Sequence, residues 1–395
     1  MKELTSRERM LRTIGHGDVD HTPCCFMSFT ALRRRYNEDL AALCRAEREM
    51  GLDSMLFIPK APRPRRPEHP ELRGLPVRFD AEVVTTEWRE AVGGGFDILH
   101  KTYGTPSGTL STRVRLSDDW PHGEHIPFVD DFQVPRSIEN LVKGEEDLAA
   151  LQHLLVPPAA EDVAAYRREA EEARAFAEAQ GVVLAGGWGV GADMANWLCG
   201  MENLMVCTLE KPGFVARLLK MIHAWNLKRM ELVLSAPVDI YFRRAWYEGC
   251  DFIPRPFFEQ SVLPLIRAEA DLAHEHGARF CYICSSGTVP LLDLYPASGI
   301  DVLVGVDPVQ GTYTDMPLMK KKLGGSVCLW GGVSGAITVE RGSEPEVRSA
   351  VREALATLGP TGCVLSPVDN ITVDAPQTWQ NVAVFIDEWK KSTAA

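Results

Sequence analysis

With 395 residues, 45% hydrophobic and 24% charged, the chain has an ordinary globular composition and ample apolar material for a large core. Its formal net charge of −12 excludes nucleic-acid binding as a main role, because phosphate contacts need a concentrated basic surface. No run of roughly 18 apolar residues is present to span a membrane, and ten scattered cysteines fit a reducing cytoplasm better than a secreted disulfide framework.

The N-terminal segment is charged and leads into an amphipathic helix rather than a signal peptide. Thr5 or Ser6 opens that helix with Glu8 in its first turn, and Met10, Leu11 and Ile14 fall on one face. After Gly17 and Pro23 comes the apolar run 24–27, short enough for a buried strand. Seven further short apolar runs follow, at 54–58, 182–185, 239–242, 280–284, 302–306, 327–330 and 363–365. Helical patterns lie between the later ones: two within 202–235, one at 256–276 and one at 344–358. Short apolar strands alternating with helices predict parallel strands buried on both faces. Eight such units predict a single closed (β/α)8 TIM barrel over residues 1–395, and no Gly-rich dinucleotide fingerprint follows the first strand.

One interval, 61–160, breaks the rhythm with Pro, Gly and charge. Its segments 82–88, 96–102 and 109–115 alternate as antiparallel strands do, with Thr105-Pro-Ser-Gly108 as a turn, and it ends in a short helix at 145–155. We expect a small β-rich insertion between strands two and three that covers the barrel mouth. The basic run Arg63-Pro-Arg-Arg66 within it reads as a solvated loop.

In such a barrel, reacting groups come from the C-terminal ends of strands. Cys281 and Cys284 are spaced C-x-x-C, but a redox pair needs a helix N-terminus after its first cysteine. Here the spacing falls within the fifth strand and is incidental. Alternation sends the two cysteines to opposite faces and puts Tyr282 with Cys284, facing the barrel interior. Tyr282 there serves as hydrogen-bond donor or general acid, or fills the barrel. Glu248, in Trp246-Tyr-Glu-Gly-Cys250, follows the fourth strand as a ligand, a general base or a solvated loop residue. Asp307 follows the sixth strand, and Asp369 and Asn370 follow the eighth. The Gly-rich stretch 186–196 opens a helix whose N-terminus favours an anion, or is simply a tight turn. It brings Trp188, Asp193 and Asn196 forward as substrate contacts, with Tyr241 on the fourth strand. Trp188 and Trp330 stack on a flat substrate or fill the core. His16 and His21 precede the first strand, at the end away from catalysis.

Several stretches resemble the uroporphyrinogen decarboxylase superfamily over nearly the whole chain. They are Thr5-Ser-Arg-Glu-Arg-Met10, Asp18-Val-Asp-His-Thr-Pro23, Phe257-Phe-Glu-Gln-Ser-Val-Leu-Pro264, Gly299-Ile-Asp-Val302, Leu329-Trp-Gly-Gly-Val333 and Asn370-Ile-Thr-Val-Asp-Ala-Pro376. The resemblance implies a (β/α)8 barrel and offers two chemistries. Its decarboxylases carry Arg-Gln-Ala-Gly-Arg after the first strand, an aspartate ending the second and a histidine after the last. Here the first stretch reads Met27-Ser-Phe-Thr-Ala-Leu-Arg-Arg-Arg-Tyr36, the second strand runs into Ile58-Pro-Lys60, and 366–371 holds no histidine. Of Arg33, Arg34 and Arg35, any of which could replace the motif's second arginine, Arg35 is the expected substrate contact.

The other branch moves methyl groups between a corrinoid and a thiol or other small acceptor. Its thiol-acting members imply zinc held by His-x-Cys at the end of the fifth strand and a cysteine after the eighth, since zinc stabilises thiolate at neutral pH. Cys284 matches that cysteine, whereas Tyr282 stands for the histidine and Asp369 near the last cysteine. The resemblance therefore implies methyl transfer between a small methylated compound, a methoxyaromatic being one candidate, or a thiol and cobalamin. A mixed Cys284/Glu248/Asp369 zinc site would complete it. No D-x-H-x-x-G signature is present, so cobalamin is expected free or on a separate corrinoid protein. Homodimers are implied as well. Decarboxylation, and a barrel that only binds, are the alternatives.

Overall fold

The computed structural model describes residues 3–60, 72–309 and 315–393. Its main layer is a curled seven-stranded parallel sheet. The chain-order strands are β1 (Met55–Ile58), then β2 (Val84–Glu90), β3 (Ile98–Thr105), β4 (Gly108–Arg115) and β5 (Ser137–Glu139). They continue as β6 (Val183–Gly189), β7 (Ile240–Arg244), β8 (Arg279–Ile283), β9 (Val302–Val306), β10 (Cys328–Ser334) and β11 (Cys363–Val368). The parallel order is β1-β6-β7-β8-β9-β10-β11, and β2-β3-β4-β5 form a separate antiparallel sheet.

Seven of the eight expected runs are strands of that parallel sheet. The run 24–27 is not: it contributes isolated parallel bridges, Cys24 to Leu365 and Cys25 to Asp53. Side chains take the N–H groups that a ladder would need. Asp53 accepts from Cys24 N–H at 3.1 Å and Ser366 Oγ from Met27 N–H at 3.3 Å, and Pro23 has no N–H to give. The bridges still tie β11 to the residue pair before β1, so the segment stands between the sheet's two edge strands.

Helices cover the outer face as the patterns predict. Ser6–Ile14 opens on a capping box in which Thr5 and Glu8 serve each other's backbone. Met201–Glu210 and Pro212–Leu234 are the two helices of 202–235, divided where Pro212 starts the second. The insertion forms its hairpins with Thr105 paired to Gly108 at the turn. The Arg63–Arg66 run lies outside the described residues.

Register separates the two faces of the sheet. Phe57 meets Phe242 at 4.9 Å and Phe242 meets Trp330 at 5.9 Å, while Ile283, Val304, Trp330 and Ser366 line one small central void. These residues define the inner face. On the outer face Tyr241 stacks on Phe280, a Cβ at Gly186 would strike Val233, and one at Gly332 would strike Ala354 of the covering helices.

Candidate functional site

β7 ends in two arginines, and alternation sends them to opposite faces. Arg244 turns inward at the strand's C-terminal end. Its Nε donates to Asp193 Oδ1 at 3.1 Å and its Nη2 to both oxygens of Asp131 at 2.9 and 2.8 Å. The guanidinium also lies against Trp197 and Trp246, at 4.4 and 4.5 Å from the ring centres. Asp193 and Asn196 share one face of the short helix Ala192–Cys199, three residues apart. Both are buried, and Asp193 Oδ2, Asn196 Oδ1 and Asn196 Nδ2 have no hydrogen-bond partner. Burial pushes the Asp193 carboxyl up to about 6, with Glu248 and Asp131 adding repulsion and Arg244 opposing.

Asp307 accepts from Val309 N–H at 2.8 Å just past β9. Asp369 follows β11 with a left-handed φ of 69°, a conformation a non-glycine residue keeps only where its surroundings impose it. Its carboxyl is raised, first by burial and then by Asp307 nearby. Asp369 lines the central void beside Trp246, Trp330 and Ser366. Asp369 and Asp307 thus lie near one another, Arg244 stands between them and Asp193, and the Trp188 ring lies 5.9 Å from Trp246.

Arg243 turns outward, toward the helices. Its Nη1 and Nη2 clamp Glu248 at 2.7 and 2.8 Å, and its Nε donates to Glu269 at 2.5 Å. Glu248 also accepts from Tyr282 Oη and from Ala192 N–H, both at 2.7 Å. Tyr282 and Cys284 do share a face opposite Cys281, but it is the outer face, not the barrel interior expected for them. Their neighbour Ile283 is the residue that lines the central void. Alternation fixes relative orientation and leaves the starting face open.

This placement bears on zinc. Cys284 donates its thiol to Ser286 O at 3.5 Å, and burial, then Glu248, hold it above the ordinary thiol range. Zinc needs the thiolate. Glu248 is engaged by Arg243, Tyr282 and Ala192, and Asp369 lies on the other face. Among the described residues no group of three or more His, Cys, Asp or Glu side chains is placed to hold a metal ion. The expected Cys284/Glu248/Asp369 set is not assembled, and these residues do not fit zinc.

Other expected contacts also lie elsewhere. Tyr241 points outward beside Arg229, where its hydroxyl and both Arg229 Nη atoms lack partners. Asn370 binds Thr30 through both amide ends, at 3.0 and 2.9 Å, and so anchors the turn into the helix Thr30–Arg35. Arg35 is exposed, paired with Asp374 at 2.5 Å and laid over Trp379 at 3.8 Å. Arg33 of the same run instead lines a cavity of about 540 Å³ at the C-terminal ends of β1 and β6. Phe57, Trp188, Arg73 and Glu47 share that lining. Trp330 faces inward but donates its Nε1 to Cys25 O at 2.9 Å, a core role.

Sequence reasoning missed Asp131, Arg244 and Glu47. Asp131 comes from the insertion and crosses to the end of β7, where Trp197 Nε1 also donates to it at 2.6 Å. Its signal was a pair of acids inside the apolar stretch Val129-Asp-Asp-Phe132. The signal for Arg244 was a pair of arginines ending an apolar strand.

A family profile described as Uroporphyrinogen decarboxylase (URO-D) matches residues 124–392. The chain belongs to that family. Among solved structures it is similar to a methyltransferase from Methanosarcina mazei, at 16% identity and a TM-score of 0.59, over 98% of this chain and 99% of that one. That likeness is one of fold, and it takes in the segments before residue 124. Weaker overlaps reach D-psicose 3-epimerase from Clostridium cellulolyticum H10, at 14% identity, TM-score 0.36 and 57% and 81% coverage. Another reaches a B12-independent methionine synthase from Shewanella sp. W3-18-1, at 11% identity, TM-score 0.36 and 56% and 65% coverage. Overlaps that small carry no argument here. No curated protein sequence matches the chain significantly. No helix among the described residues is long and apolar enough to cross a membrane, and all ten cysteines are free.

Proposed function

We propose that this URO-D family member is a methyltransferase that takes the methyl group from a small methylated compound, such as a methoxyaromatic, and passes it to a corrinoid presented by a separate protein. Asp193 carries the reading. It is a buried carboxyl at the C-terminal end of the sheet, held by Arg244 through Oδ1 with Oδ2 unpartnered, and burial pushes it up to about 6, so that below that pH it holds a proton to give. An ether oxygen leaves poorly as an alkoxide and well as an alcohol. As the methyl–oxygen bond breaks, its electron pair stays on oxygen and takes the Asp193 proton, while the methyl carbon bonds to the acceptor. A bound reduced corrinoid would supply the methyl-accepting nucleophile.

The surroundings fit this division of labour. A cavity of about 540 Å³ at the ends of β1 and β6, whose lining includes Trp188 but not Asp193, suits a drug-sized molecule, whereas a corrinoid with its side arms must approach from outside. Trp188 and Trp246 offer flat apolar surface for an aromatic ring. Zinc has no part in the scheme, since its expected ligands do not converge. Decarboxylation of porphyrinogens is disfavoured, because Lys60 rather than a carboxylate follows β1 and no histidine follows β11.

Methylation of reduced cobalamin by a panel of methoxyarenes, followed by visible absorption, tests the reading. Asp193→Asn is expected to lower kcat by about 10² to 10⁴-fold with the melting curve retained. Wild-type kcat/KM is expected to fall as pH rises through about 6, where the acid form is lost. Porphyrinogen turnover without methyl transfer from any donor would overturn the proposal.

A further inference from the structure

Asn196 stands out among the buried polar groups. It is 1% exposed, and among the described residues it is the buried side-chain amide with both its oxygen and its nitrogen unpartnered. Exchanging the two ends of the amide changes nothing, because neither orientation finds a partner. Buried amides are almost always satisfied, since desolvating one without a hydrogen bond costs free energy. The chain supplies easy alternatives: an apolar residue of similar volume would sit in this helix among Met194, Ala195 and Leu198 without cost.

Its position separates it from the other orphaned groups. Asn196 lies one helical turn from Asp193, on the face that carries the unpartnered Asp193 Oδ2. Trp188, at the end of β6, likewise leaves its Nε1 without a partner. All three belong to the elements that close the C-terminal end of the inner face. A hydroxyl both donates and accepts, and it complements an amide that offers one of each.

We propose that Asn196 is a specificity-determining residue that reads a hydroxyl on the substrate beside its methyl-bearing atom, so that the site prefers hydroxylated compounds over apolar ones of equal size. This rests on the proposed methyl transfer for its biological sense, but not for its test. A site built around buried hydrogen-bonding groups rejects an analogue that leaves them unpaired more strongly than it rejects a change of size.

Phenol and toluene have nearly the same shape and differ in a hydroxyl against a methyl. Calorimetric titration of the full chain with each is expected to show phenol bound at least about tenfold more tightly. Asn196→Leu keeps the volume and removes both polar atoms; it is expected to erase or reverse that preference while the melting temperature holds or rises. Asn196→Thr, which keeps a hydroxyl in the helix, is expected to retain part of it. The proposal is overturned if wild type binds the two equally or binds neither, or if folded Asn196→Leu keeps the wild-type ratio. If the preference behaves as expected and no methylated donor is processed, the functional reading fails and the assignment of Asn196 stands.

Discussion

Arg243 and Arg244 are neighbours in sequence, equally buried, and belong to different kinds of site. Around Arg243 the polar accounting closes. Its two carboxylates, the Tyr282 hydroxyl and the Ala192 N–H satisfy one another, which locks β7, β8 and the start of the helix carrying Asp193. Around Arg244 it stays open, with Asp193 Oδ2 unpartnered and the amide of Asn196, one helical turn further on, unpartnered as well. An orphaned atom does not by itself mark a site, since Arg229 and Tyr241 also have orphans on the outer face. What distinguishes Asp193 and Asn196 is that they share one face of the helix that follows the C-terminal end of β6, where Asp193 meets Arg244 at the end of β7. A closed network specifies structure; an open one at that end is available to a ligand.

The largest effect tests the closed side. Glu248→Ala leaves Arg243 buried with its main partner gone and is expected to cost about 3–5 kcal/mol in urea unfolding. Glu248→Gln is expected to cost less, and methyl transfer should fall with stability in both. A Glu248→Ala protein as stable as wild type would break the comparison. Asp193→Asn is the opposite case, losing activity at retained stability.

A middle-sized effect concerns Glu47, a buried carboxyl in the lining of the larger cavity, whose Oε2 accepts from Ser54 Oγ at 2.5 Å. Burial pushes it up to about 8 from 4.5. Between those values the folded state holds the proton and the unfolded state does not. Stability from this group is therefore full below about 4.5 and is lost as pH rises toward 8, at up to about 1.4 kcal/mol per pH unit. Glu47→Gln is expected to flatten that slope in unfolding curves across the interval, and an unchanged slope would count against the assignment. The smallest effect is Arg35→Ala, expected to change stability by less than about 1 kcal/mol because the Asp374 pair is exposed. Methyl transfer should be unaffected, and a large loss would return Arg35 to the site.

Much of the architecture was legible because it depends on local pattern. The short apolar runs became strands within a residue or a few, the antiparallel insertion turned at Thr105–Gly108, and Thr5 capped the first helix. The run 24–27 failed to become a strand because Asp53 and Ser366, distant in sequence, claimed its N–H groups. The site was legible in part. Strand ends pointed to Asp193, Asn196, Asp307 and Asp369, while Asp131 lies in an insertion with no strand end to mark it.

By itself the sequence determined the family, the order of strands and helices, and which residues share a face, because side-chain alternation along a strand is a local property. Only the tertiary structure decided which face is inside. Tyr282 and Cys284 were correctly paired and assigned to the wrong side, since the phase of alternation depends on how the sheet curls against its helices. It also decided which charges are spent on each other. Glu248 could be a free base or a ligand until Arg243, Tyr282 and Ala192 were seen to occupy it, and Asp193 gained its proton-holding character only from burial beside other carboxylates.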